Sequence, residues 1–84
     1  MIVITLGKFR RKPSKEDIAK LPQFIQEAGG KILSAYWTLG RYDAVVTVEA
    51  KDEKAVMKSL LKFGDFVATE TLVAIPREEA VKLL

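Results

Sequence analysis

The sequence predicts an α+β fold built on an antiparallel four-stranded sheet, and three observations carry that prediction. Short β-branched runs alternate with two segments whose apolar residues recur at helical spacing. Glycines stand where those helical segments should stop. Between two long apolar stretches lies Gly40-Arg41, a two-residue loop of the kind that closes a β-hairpin.

Taken in order, Ile2-Val3-Ile4-Thr5-Leu6 is too short for a helix and reads as the first strand, ended by Gly7. The basic run Lys8-Phe9-Arg10-Arg11-Lys12 follows as a loop. Ser14 opens a helix, with Asp17 three residues on in the pattern of a capping box. Ile18, Leu21, Ile25 and Ala28 recur at helical spacing with Phe24 beside them. Pro22 interrupts that pattern. An interior proline costs a helix about 3 kcal/mol, so a kink or a fresh helical start is expected at Leu21-Pro22. Gly29-Gly30 is the stop.

Lys31 to Leu39 reads as the second strand and Tyr42 to Ala50 as the third, joined by a type II′ turn with Gly40 at its first central position. Asp52 caps a second helix whose Val56, Met57, Leu60 and Leu61 form one apolar stripe, and Gly64 ends it. Phe66 to Ile75 is the fourth strand. Pro76 stops it, and Pro76-Arg77-Glu78-Glu79 suits the first turn of a short C-terminal helix through Leu84. The resulting β-α-β-β-α-β order with an appended helix is that of a ferredoxin-like fold, expected as one domain over residues 1–84.

Register sorts the side chains into two faces. With Gly40-Arg41 as the loop, Leu39 opposes Tyr42, Trp37 opposes Ala44, Ala35 opposes Val46 and Leu33 opposes Val48, an apolar face for the helices. The other face pairs Thr38 with Asp43, Tyr36 with Val45 and Ser34 with Thr47. The same logic assigns Val3 and Thr5 of the first strand, and Val67, Thr69, Thr71, Val73 and Ile75 of the fourth, to this second face. Such a face is too apolar for a sheet left in water, since it exceeds the few hundred Å² that a soluble monomer usually exposes. A second copy packed sheet against sheet, as an isologous dimer or larger oligomer, is the expected solution.

Composition supports this and narrows the chemistry. Eighty-four residues bury only about 60% of their unfolded surface, which leaves a lone domain marginal. The chain has no cysteine and no histidine, which removes disulfides, thiolate or imidazole metal sites, cysteine nucleophiles and Ser-His-Asp catalysis. A net charge of +3 admits nucleic acid, but acidic and basic residues are interleaved and the strands lack the aromatic display of RNA-binding modules of this topology. No apolar run approaches the roughly 20 residues of a membrane span, and the first residues do not read as a secretion signal, so a cytoplasmic location is expected. Absent asparagine and abundant Lys and Glu hint at a thermophilic source.

The run from Ala28 to Asp43, AGGKILSAYWTLGRYD, resembles the GYD family of small α/β proteins, whose name reflects a Gly-x-Tyr-Asp type of turn. The later pattern is similar too: Glu49 after the third strand, then a helix, then Thr69-Glu70-Thr71-Leu72. The likeness covers residues 28 to 75, while Lys8 to Ser14 is this chain's own variant. A second resemblance is to the effector domains of Lrp/AsnC-type regulators, which show a comparable turn and a Thr-rich last strand. Both imply a dimeric α/β barrel, a superfamily that holds cofactor-free monooxygenases and isomerases as well as metabolite-sensing modules.

Tyr36, Thr38, Asp43, Thr47, Glu49, Thr69 and Thr71 are the candidate ligand-binding residues, hydroxyls and carboxylates in an otherwise apolar space between sheets. Asp43 is expected to accept hydrogen bonds from Thr38 or from turn amides, and Trp37 to lie in the core. The expected function is a homo-oligomeric module that binds a small molecule between packed sheets, without cofactor or metal. The alternative is a cofactor-free dimeric-barrel enzyme using Asp43, Glu49 or Tyr36 as acid or base.

Overall fold

The computed structural model describes all 84 residues. Its elements are β1 (Ile2–Phe9), α1 (Lys15–Glu27), β2 (Lys31–Trp37), β3 (Ala44–Glu49), α2 (Glu53–Phe63), β4 (Val67–Ala74) and α3 (Arg77–Val81). The four strands form one antiparallel sheet in the order β2-β3-β1-β4, with α1 and α2 on one face: a ferredoxin-like α+β fold. No helix is long and apolar enough to cross a membrane.

The caps lie where the sequence puts them. The Ser14 hydroxyl accepts from the Asp17 amide at 3.0 Å, and the Asp17 carboxylate accepts from the Ser14 amide at 3.1 Å, closing the capping box. Arg11 adds a 3.0 Å bond to the same carboxylate. Asp52 caps α2 through the Ala55 amide at 2.9 Å. Helix α1 runs unbroken through Pro22, contrary to the expected kink or restart. Pro22 is exposed and withholds one amide donor, while Leu21 and Ile25 on the inner side keep the helix seated. Gly29 (φ 82°) then reverses the chain. Gly30 is held so tightly that a Cβ there would lie 3.0 Å from Ile25 Cγ2 and 3.2 Å from the Ile25 carbonyl.

The basic run is not a free loop. Lys8 and Phe9 extend β1. The Arg10 amide donates to the Phe66 carbonyl at 2.8 Å and its Nε to the Gly64 carbonyl at 2.9 Å. The Arg11 guanidinium lies 5.5 Å from the Phe66 ring centroid. These residues tie β1 to the α2–β4 turn and to the start of α1.

Directly opposed residues share a face of the sheet. β2 and β3 pair as expected at Ser34/Thr47, Ala35/Val46, Tyr36/Val45 and Trp37/Ala44. The next pair is Ile32/Val48, because a bulge at Leu33 inserts one residue and displaces Leu33 from the expected partnership. The phase of β1 and β4 is the larger correction. Val3 opposes both Val48 and Val73, and Thr5 opposes Val46 and Thr71, so Val3, Thr5, Thr71 and Val73 lie under the helices. Val67 and Thr69 follow by alternation. The open face instead carries Ile2, Ile4 and Leu6 of β1, and Ala68, Glu70, Leu72 and Ala74 of β4.

Seven apolar residues form the core: Val3, Ile25, Val48, Ala50, Phe63, Phe66 and Val67. Phe24 and Phe63 stack across the two helices with ring centroids 5.6 Å apart. Trp37 lies on the helix side but remains 66% exposed, with its ring set edge-on to Phe9 at a centroid distance of 5.3 Å. It is therefore not the core residue that the sequence suggests. Helix α3 packs against no other element, and its Val81, with Leu83 and Leu84 beyond it, is exposed.

Candidate functional site

The hairpin closes one pair further out than a two-residue turn would. Its innermost backbone bond runs from the Thr38 amide to the Asp43 carbonyl at 2.8 Å, leaving Leu39 to Tyr42 as a four-residue loop. Gly40 holds φ 114° there, a value that any other residue adopts only under strain. The Thr38 hydroxyl donates to the Tyr42 carbonyl at 2.8 Å and braces the loop.

At Asp43 the chain bends, so strand alternation does not carry through to Tyr42. The Asp43 amide donates to the Gly7 carbonyl at 2.8 Å, and its carboxylate accepts from the Phe9 amide at 2.8 Å. Lys8 Nζ lies 3.6 Å from the other carboxylate oxygen. Asp43 thus fastens the hairpin to the end of β1, whereas the sequence suggested Thr38 or the turn itself as its partner. Tyr42, freed from the helix side, reaches across β1 and donates its hydroxyl to Glu70 of β4. That hydrogen bond, aided by desolvation and by the Glu70 charge, raises the phenol pKa above its usual 10.0.

A polar cluster therefore stands at the hairpin end of the open face: Tyr42, Glu70, Asp43, Lys8 and Thr38. Beside it the face turns apolar, through Tyr36, Val45 and Leu6 in one cross-strand row and Thr47, Ile4 and Leu72 in the next. The hairpin end offers a protonated hydroxyl beside a carboxylate at Tyr42–Glu70 and an ammonium beside a second carboxylate at Lys8–Asp43. Such a group suits a small polar molecule carrying charge of either sign.

The seven sequence-selected residues divide accordingly. Thr38 and Asp43 belong to the cluster, Tyr36 and Thr47 lie on the open face beside it, and Glu49 ends that face opposite Ile2 and Lys31. Thr69 and Thr71 are on the other side of the sheet, where the Thr71 hydroxyl meets that of Thr5 at 3.1 Å. The strand register that reversed their phase keeps them from joining the rest. Lys8 and Glu70 were not singled out, although Lys8 is in the basic run and Glu70 lies between the two threonines. The signal was their place on β1 and β4 once those strands are put in phase with β3. No three carboxylates come together in a way that could hold a metal ion.

The GYD domain family matches the chain over residues 7–84. The chain belongs to the GYD family. No protein of curated function matches it. Among solved structures it is similar to PH0061, with 22% identity and a TM-score of 0.61 over 92% of this chain and 53% of that one. It is similar also to MtbAldR (17% identity, TM-score 0.59, 90% of this chain and 52% of that one). The GYD chain thus spans about half the length of both. TTHA0845 from Thermus thermophilus is covered almost whole, at 98%, with 90% of this chain, 26% identity and a TM-score of 0.53. These likenesses establish the shared ferredoxin-like fold.

Proposed function

We propose that this GYD protein is a homo-oligomeric binding module, two copies packing through their open sheet faces around a small polar ligand held at the Tyr42–Glu70 end. The observation that carries the reading is the composition of that face: rows of half-buried and exposed apolar side chains ending in polar groups at the hairpin. Ile2, Ile4 and Leu6, half-buried within one copy, would gain further cover from a second, and an isologous contact brings the same face of both copies together. The free apolar arm from Ile75 through α3 supports the same reading, because it has no partner within its own chain. Ligand chemistry follows from the mixed signs of Lys8, Asp43 and Glu70, which favour a small zwitterion such as a free amino acid.

A thermal-shift series with the free amino acids at millimolar concentration tests the ligand half of the proposal. The expected result is a rise in melting temperature for a subset of them, lost in Tyr42→Phe and Glu70→Gln. A flat response across the whole series would remove the ligand from the proposal while leaving the oligomer to be judged by its mass.

A further inference from the structure

The helix side of the sheet holds a feature that neither the hairpin nor the open face uses. Between the sheet and the two helices lies a partly open crevice of about 200 Å³. Its floor is a run of small side chains, with Ala44 and Gly7 side by side next to Trp37, and Ala35 one row away. Gly7 cannot grow, since a Cβ there would lie 3.1 Å from Val67 Cγ2. The alanines leave the space open. Trp37 walls one side, two-thirds exposed, with its ring edge on Phe9, and Ile18 and Leu21 of α1 form the roof.

The few hydroxyls in the lining have partners within the protein. Thr5 is bonded to Thr71 at 3.1 Å, and Ser59 to the Ala55 carbonyl at 3.1 Å. Water therefore finds little to bind there, and a guest gains nothing from polar groups of its own. Apolar cavities of roughly 150 Å³ already take up benzene. This space is larger and has an open side for entry.

We propose that the crevice between the helices and the sheet binds a small apolar molecule, aromatic or alicyclic, of about benzene to naphthalene size. The site is complete within one subunit and lies on the opposite face from the proposed oligomer contact. It stands or falls separately from that reading.

Trp37 is the single tryptophan, so its fluorescence reports on the crevice directly. Benzene and cyclohexane titrated into the full chain should shift its emission to shorter wavelength and saturate at one molecule per subunit. Ala44→Leu, which fills the floor, should weaken benzene binding at least about tenfold, a difference of about 1.4 kcal/mol. Ala35→Leu, one row away on the same floor, gives a second test should the first variant fold poorly; circular dichroism identifies which variants retain the fold. A linear, non-saturating response of the wild-type protein would overturn the proposal, as would unchanged benzene affinity in a folded filling variant.

Discussion

On the helix side of the sheet, Val3 and Val48 face each other and are 2% and 8% exposed, while on the open side Leu72 is 45% exposed and Tyr36 66%. The same strands supply both sets, with similar residues one position apart. What separates them is cover: α1 and α2 shield the middle of one face, leaving Val73 and Trp37 on its outer strands exposed, and no element of the chain packs over the other. Substitutions on the helix side should therefore change whether the chain folds. Those on the open side should change what the folded chain does with its surface.

The largest effect is expected at Phe63, buried against Phe24 in the helix layer. Phe63→Ala should lose about 3–5 kcal/mol in urea unfolding, enough to leave an 84-residue chain largely unfolded. Retention of wild-type stability would mean that the helix side is not the fold's main source of burial. Next comes Asp43, which fastens the hairpin to the end of β1. Asp43→Ala leaves the Phe9 amide without its acceptor and should cost about 1–3 kcal/mol by the same measurement. Most of that loss belongs to the amide bond, because the exposed Lys8 pairing is worth at most about 1 kcal/mol.

A smaller effect distinguishes the start of α1. The Ser14 amide first, and then Arg11, hold the Asp17 carboxyl below its ordinary range. A depressed folded-state value means that the stabilisation is present above the usual carboxylate pKa and fades as pH falls through the lower, folded value. Ser14→Ala removes the hydroxyl cap at a cost of about 1 kcal/mol but keeps the Ser14 amide. It should lower stability at neutral pH and leave most of the acid limb, whereas Asp17→Asn should flatten that limb. An unaltered acid limb would assign it to other carboxylates. On the open side, Tyr42 should ionise above the normal tyrosine range in an absorbance titration, and Glu70→Gln should lower its midpoint. The folded state favours the protonated phenol, so this contribution is full below the unfolded-state pKa and disappears as pH rises through the folded one.

Much of this contrast was legible in the residues. Caps at Ser14 and Asp52, the stop at Gly29-Gly30 and the order of elements follow from local chemistry that tertiary packing did not override. The pairing of Tyr36 with Val45 and Trp37 with Ala44 followed from the hairpin. The phase of β1 did not, because Ile2-Val3-Ile4-Thr5-Leu6 is apolar at both parities and pattern alone cannot say which set faces the helices. β4 has the same ambiguity, with polar and apolar residues mixed in both sets, so pattern alone does not assign Thr69 and Thr71 to the helix side. The Leu33 bulge and the reach of Tyr42 to Glu70 depend on chain bends that leave no mark in residue type. The exposure of Trp37 depends on how far the helices extend over β2, which is a property of packing.

The open face is decided most directly by sedimentation equilibrium at micromolar concentration, comparing the wild-type protein with Ile4→Lys. Ile4 sits at the centre of that face, opposite Thr47 and Leu72. A docking face predicts a wild-type mass of at least twice 9.4 kDa and a folded Ile4→Lys protein close to the monomer value. A wild-type protein that sediments as a monomer, or a variant that keeps the full oligomer, would contradict it.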